Sequence, residues 1–265
     1  MATTAIVGDV VANVVGDHAT VEVVIPLGAD PHDFRPSARQ LTAIAGADLV
    51  VAIGLGMEET MGDVLAAAAT EGTTILELGP QLDPIPGDDG GVDPHVWLDP
   101  ERMAVATRLI AGALTDLDST VDWGAAADTY AAQLAALDDE IATILDAVPA
   151  DRRKLVTNHE SLGYFADRYG FDVVGVIVPG GSTLAEPSSA DIAALAEVIA
   201  NEEVLAIFAE TTEPATLAEA VAAEADTEVA VVELFTESMG EPGSAAGTLI
   251  GMLRIDAERI AEALS

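Results

Sequence analysis

The sequence predicts an α/β fold: two α/β lobes with parallel sheets, joined by one long connecting helix. Three observations predict it. Short apolar, β-branched runs alternate with helical stretches along most of the chain, which is the pattern of βαβ units. One long amphipathic stretch over 122–148 interrupts that alternation. Strand-like runs lie on both sides of it, giving an N-terminal α/β lobe at 1–118, a linker helix at 119–149 and a C-terminal α/β lobe at 150–265.

The first strand is expected at 21–27 (VEVVIPL), followed by a loop with Pro and Gly. SARQLTAIAG (37–46) reads as a helix closed by Gly46, DLVVAIG (48–54) as a strand, and MEETMGDVLAAAA (57–69) as a helix. TTILEL (73–78) reads as a strand, and a Pro/Gly/Asp-rich loop fills 79–95. The helix over 98–114 has clear start chemistry: Asp99 as N-cap, Pro100 at the first helical position, Glu101 at the positive helix end.

In the long stretch the apolar residues are Trp123, Ala127, Tyr130, Leu134, Leu137, Ile141, Ile144 and Val148, stepping by threes and fours. Pro149 closes it. Strands are then expected at 153–158, 172–178, 204–210 and 228–234, with helices at 160–170, 188–201, 213–225 and about 244–264.

The chain has 46 acidic and 10 basic side chains, a net charge of −36. Such a surface repels nucleic acid and anionic membrane. The acids are spread along the whole chain, as on a solvated surface. No apolar run approaches the ~20 residues of a membrane helix. The absence of Cys removes disulfides, thiolate metal sites and Cys nucleophiles. The N-terminal stretch MATTAIVGDVVANVV has neither a basic n-region nor a small-residue cleavage signal. The chain is therefore expected to be cytoplasmic, or to lack an export segment that belongs to it.

Four histidines remain to be placed. His32 and His95 sit in matching contexts, GADPHDF and GVDPHVW, and His159 follows the strand at 153–158 directly. All three fall beyond the carboxyl ends of expected parallel strands, the rim where open α/β sheets bind ligands. His18 precedes its strand and is expected to be exposed. Neutral imidazole is the commonest metal ligand, and Pro31 and Pro94 stiffen the loops before their histidines. Zn²⁺ takes four ligands, and Glu237, in the loop after the last strand, is the candidate fourth donor. A lone loop histidine or a solvated loop Glu is the plainer reading of each residue alone.

Together these local sequences resemble the substrate-binding proteins of zinc/manganese ABC transporters. GADPHDFRPSARQL, DPHVWLDPERM, TNHESLGYFADRYG and the stretch from IFAETTEP through ELFTESMGEPGSAAGTLIGMLRIDAERIAEAL carry the likeness, which spans about residues 3–265. It implies that His32, His95 and His159 are metal ligands, that Glu237 stands where the family usually has Asp, and that Glu210 is an acid able to orient a ligand histidine. Either Glu237 or a water completes the shell. His159 tilts the metal toward Zn²⁺, with Mn²⁺ the alternative, because nitrogen donors suit zinc better.

The resemblance also implies a non-enzymatic, extracytoplasmic monomer that delivers its ion to an ABC-transporter permease and meets the membrane only through it. Some such proteins are also adhesins. The loop before His95, LDPIPGDDGGVD, lacks the His-rich collector that many zinc members carry. Two other functions are weaker. A zinc hydrolase would need an open, water-bearing position, and there is no HExxH. A binder of organic ligands or metal chelates would need aromatics or Arg in the rim loops.

Overall fold

The computed structural model describes residues 1–87, 90–185, 187–225 and 227–265. In chain order the regular elements are α1 (Ala5–Val15), α2 (Ala38–Ala45), β1 (Leu49–Ala52), α3 (Gly62–Glu71), β2 (Thr74–Glu77), α4 (Pro100–Leu117) and α5 (Trp123–Leu145). They continue as β3 (Lys154–Thr157), α6 (Gly163–Tyr169), β4 (Asp172–Val176), α7 (Ser189–Asn201), β5 (Ala206–Glu210), α8 (Thr216–Glu224), β6 (Ala230–Leu234) and α9 (Leu249–Leu264). Asp88 and Asp89, inside the loop expected at 79–95, lie outside the described residues.

The described residues form two parallel sheets. β1 pairs with β2, Leu49 opposite Thr74. The second sheet has the order β4-β3-β5-β6. The chain moves outward from β3 to β4 on one side, and from β5 to β6 on the other. The carboxyl ends of β3 and β5 therefore flank a topological switch point, where a crevice opens for ligand.

The strand expected at 21–27 is not a regular strand. Its hydrogen bonds go to the first residues of the chain: Ala2 N–H donates to Glu22 O, Val24 N–H to Ala2 O, and Ile25 N–H to Thr3 O. Residues 1–3 lie between this segment and β1, where Thr3 N–H donates to Val51 O. Three residues are too short to template a longer ladder, and Pro26 brings no N–H to it. The segment still delivers the following loop to the same rim as β1.

α1 is capped by the Thr4 hydroxyl, which accepts from Val7 N–H, and buries Ile6, Val7, Val10, Val11, Val14 and Val15. α2 carries a full capping box between Ser37 and Gln40. At α4, Asp99 accepts from the N–H groups of Glu101 and Arg102, as expected. α9 begins at Leu249, later than expected, because Thr248 caps it by accepting from Gly251 N–H.

α5 runs for 23 residues, about 35 Å at 1.5 Å per residue. It ends at Leu145, so Val148 is buried just beyond it, and Ile144 is only half-buried. The helix carries the chain from one sheet to the other, packed against α4, α1 and α9. One apolar core runs through these four helices to residues at both sheets, among them Val51, Leu155 and Phe208. Polar ties pin it: Asp9 accepts from Tyr130 OH (2.8 Å) and Leu249 N–H (3.2 Å). Arg153 caps the C-terminal end of α5 by donating to Leu145 O (2.9 Å).

Candidate metal centre

The two Asp-Pro-His loops share a device that the proline only assists. In each, the Asp carboxylate accepts from the backbone N–H of the His two residues on: Asp30 from His32 at 2.8 Å, Asp93 from His95 at 2.9 Å. This local turn is an Asx-type closure, and it aims both rings. The loops then differ. Asp93 Oδ1 also lies 2.7 Å from His95 Nδ1, whereas Asp30 accepts from the Thr183 hydroxyl after β4.

His159 lies two residues beyond the end of β3, and its carbonyl accepts from Thr157 Oγ1 at 2.5 Å. Glu210, the last residue of the neighbouring β5, puts Oε1 2.5 Å from His159 Nδ1. The switch point of the second sheet thus supplies an imidazole and its carboxylate partner. Glu237 stands in the loop after β6, and its neighbours clamp that loop to three elements. Phe235 N–H donates to Asp256 (3.0 Å), Trp97 Nε1–H to Thr236 O (2.7 Å), and Gly28 N–H to Ser238 Oγ (2.8 Å).

The structure brings His32, His95, His159 and Glu237 together, all buried, with one potential ligand atom from each within 4.8 Å of the others. His95 Nε2 lies 3.0 Å from His159 Nε2 and 3.3 Å from Glu237 Oε1, and His159 Nε2 lies 3.6 Å from the same oxygen. A tetrahedral ion with bonds of about 2.0–2.1 Å holds its donors roughly 3.3 Å apart, so the spacing of His95, His159 and Glu237 fits one small divalent cation, with the His32 donor within 4.8 Å of them. Among the described residues, both nitrogens of His32 and both oxygens of Glu237 are buried without a hydrogen-bond partner. Buried polar atoms are normally satisfied, and an ion accepting lone pairs from Glu237 and from one nitrogen of His32 would satisfy those atoms.

Electrostatics fit the same role. Burial alone would lower the His95 imidazole, but Glu237 and Asp93 outweigh it and push it up to about 10. Burial likewise acts against His159, and Glu210 raises it in net. Burial works to raise Glu237, yet His95, His159 and His32 hold it down at about 2. His32, where burial dominates, is lowered. A cluster that holds protons so firmly on imidazole is one that a dication can enter by displacing them.

The family model described as ZnuA, zinc-uptake complex component A, periplasmic, matches residues 1–263. The chain belongs to the ZnuA family. The ZnuA family members it resembles include the manganese-binding lipoprotein MntA of Halalkalibacterium halodurans, 28% identical with 98% of this chain and 86% of the relative covered. The zinc-binding protein TroA of Treponema pallidum is 31% identical, with 99% and 87% covered. The solved structure of periplasmic zinc-binding TroA superposes with a TM-score of 0.91 at 29% identity, covering 100% of this chain and 98% of that one. The fold, an α/β chain with two parallel sheets and a long connecting helix, is that of TroA. Like the ZnuA family as a whole, the chain is a solute-binding protein and not an enzyme.

His18 lies apart from this cluster, exposed and edge-on to Trp123 with ring centroids 5.7 Å apart. Sequence reasoning missed Asp93, although the Asp-Pro-His repeat was its signal. It also missed Glu59, whose Oε1 lies 3.6 Å from His32 Nδ1 and which no motif marks.

Proposed function

We propose that this protein captures one divalent transition-metal ion, zinc foremost, through His32, His95, His159 and Glu237, and delivers it to the permease of an ABC importer. The observation that carries the reading is the set of four buried donor atoms, one from each residue, at ion-binding spacing. Three neutral imidazoles and one carboxylate leave a charge of about +1 on a dication, tolerable in a buried site. Nitrogen-rich donors favour zinc over manganese. Glu210 acts on His159 from behind, fixing its ring as an outer carboxylate does in metal sites generally.

Capture takes place outside the cytoplasm, as the family's periplasmic and lipoprotein relatives suggest. The protein acts as a monomer with an N-terminal lobe at 1–118, a linker at 119–149 and a C-terminal lobe at 150–265. His32 and His95 come from the first lobe, His159 and Glu237 from the second. α5 is packed along much of its length, which supports small rearrangements of the ligand loops on loading in place of wide closure.

Manganese is the second reading. It is favoured by the manganese-binding relatives and by Glu237, whose two free oxygens could both bind and so raise the oxygen count. Titration of metal-stripped protein with Zn²⁺, followed by competition with Mn²⁺, tests the reading. One Zn²⁺ per chain, not displaced by equimolar Mn²⁺, is expected. Absence of any Zn²⁺ uptake at pH 7.5 would overturn it.

A further inference from the structure

Two of the three clustered imidazoles have a carboxylate at hydrogen-bond distance behind them. Asp93 stands at 2.7 Å from His95 Nδ1 in a hydrogen bond, and Glu210 at 2.5 Å from His159 Nδ1 in an ion-pair contact without hydrogen-bond geometry, both almost wholly buried. His32 differs. The carboxylate facing its Nδ1 is Glu59, at 3.6 Å, beyond hydrogen-bond reach. Among the described residues neither ring nitrogen of His32 has a hydrogen-bond partner, and the ring is buried.

Glu59 is also the only one of the three carboxylates open to solvent, with 36% of its side chain exposed. It lines a cavity of about 840 Å³ together with Leu55, Gly56, Asp93, Pro94 and Glu160, alongside the loops that carry His95 and His159. Its backbone is preset. Gly54, Leu55 and Gly56 have φ of +75°, +58° and +88°, a left-handed course that an aliphatic residue such as Leu55 rarely adopts. The buried Glu58 carboxylate holds that course, accepting from Thr3 Oγ1 (2.6 Å), Ile53 N–H (2.9 Å) and Gly54 N–H (3.0 Å). Glu59 therefore reaches toward or away from His32 by side-chain rotation from a fixed base.

Chemistry supplies the reason for it to move. When one imidazole nitrogen gives its lone pair to a cation, the other carries the proton and needs an acceptor. Glu59 is the acceptor within reach, and less than 1 Å of travel separates 3.6 Å from an ordinary hydrogen bond of about 2.8–2.9 Å. We propose that Glu59 is the positioning carboxylate of His32, closing on Nδ1 when the ion is bound and opening toward the cavity so that His32 is the first ligand to let go. This rests on the metal-capture reading above and adds to it an order of ligand release.

The test is stopped-flow release of Zn²⁺ from loaded protein into excess chelator, comparing wild type with Glu59→Gln, Glu59→Ala and Glu77→Gln. Glu77 lines a smaller neighbouring cavity with Glu59, so its neutralisation controls for a general loss of negative charge. The expected order of release is Ala fastest, Gln intermediate and wild type slowest, with Ala about 10- to 100-fold above wild type, the usual cost of losing an outer-shell partner. Association rates and the melting temperature of metal-free protein should stay at wild-type values. In loaded wild type the His32 Nδ1–H signal in ¹⁵N-resolved spectra should be protected from exchange, and in Glu59→Ala it should not. Equal release from wild type and both Glu59 variants overturns the proposal, as does equal acceleration by Glu77→Gln. Wild type that takes up no Zn²⁺ contradicts the capture reading itself, a separate outcome.

Discussion

Asp93 closes on His95 twice through one oxygen, accepting from its backbone N–H at 2.9 Å and facing its Nδ1 at 2.7 Å. This fixes the ring plane and leaves Nε2 as the free donor, toward His159 and Glu237. Asp93→Ala should cost about 10- to 100-fold in metal affinity, and Asp93→Asn less, because an amide oxygen still accepts. Competition against a chelator of known affinity measures both. An Asp93→Ala protein with unchanged affinity would show that the ring is held by packing alone. Gly163 serves the same contact, since a side chain there would collide with the Asp93 carboxylate, and Gly163→Ala should weaken binding in the same direction.

Affinity should rise with pH over a wide range. His95 is raised to about 10 in the metal-free protein and His159 is raised as well, so below those values an incoming ion must displace their protons. Glu237, held down at about 2, is already ionised and releases none. Each displaced proton makes the apparent affinity fall about tenfold per pH unit below the imidazole's value. The competition therefore extends well above the 6.5 of a free imidazole. Calorimetry in buffers of different ionisation heat should find at least about one proton released per ion at pH 7.5. No release between pH 7 and 9 would contradict this charge assignment.

Glu237 is the sole carboxylate among the four clustered donors. Glu237→Ala should lower affinity by more than the loss of an outer partner does, that is, by more than about 100-fold. Glu237→Asp probes the departure from the family's usual Asp, and should retain binding if the 235–238 loop can follow the shorter side chain. The three anchors on Phe235, Thr236 and Ser238 argue that it cannot follow fully, so a partial loss is expected by the same measurement.

Asp256, which anchors the Glu237 loop through Phe235, offers a stability test in the metal-free protein. It is buried in α9, accepts from Phe235 N–H, and burial pushes it up to about 7. In the unfolded chain it ionises near 3.8. Between those values the folded state binds the extra proton, so stability falls as pH rises from about 4 to 7 and stays reduced above. Asp256→Asn keeps an acceptor for Phe235 and removes the buried charge. It should raise the stability of metal-free protein at pH 8, by on the order of 2–4 kcal/mol, and leave it unchanged at pH 4. Thermal melts at the two pH values decide this. A loss of stability at pH 8 would mean that the charge is compensated.

A chain with 46 acidic and 10 basic side chains repels itself. Screening shortens the reach of charge from about 10 Å at 0.1 M salt to about 3 Å at 1 M. The melting temperature of the metal-free protein should therefore climb with KCl across that range. A flat or falling curve would place the dominant electrostatics in the buried network and not at the surface.

Much of this architecture is legible in sequence because it rests on local signals. Asp99 and Pro100 announce α4, and the three-four spacing from Trp123 to Ile141 announces α5. His159 and Glu237 could be placed because each follows a strand whose β-branched run is plain. What was not legible depends on partners distant in sequence. The run at 21–27 has strand composition, but it pairs only with the first three residues of the chain, so no regular strand forms. Glu59 and Glu210 reach their histidines only through folding, and nothing beside either residue in sequence marks it. Glu210 is marked only by the family likeness, and Asp93 only by the repeat of Asp-Pro-His.

In the function proposed, four side chains from distant parts of the chain hold one ion. Anomalous diffraction at the zinc edge, on crystals grown with equimolar Zn²⁺, tests it most directly. A single strong peak about 2.0–2.2 Å from one nitrogen each of His32, His95 and His159, and from the Glu237 carboxylate, is the predicted result. A principal peak elsewhere, or one that leaves His32 or Glu237 out of reach, would contradict it.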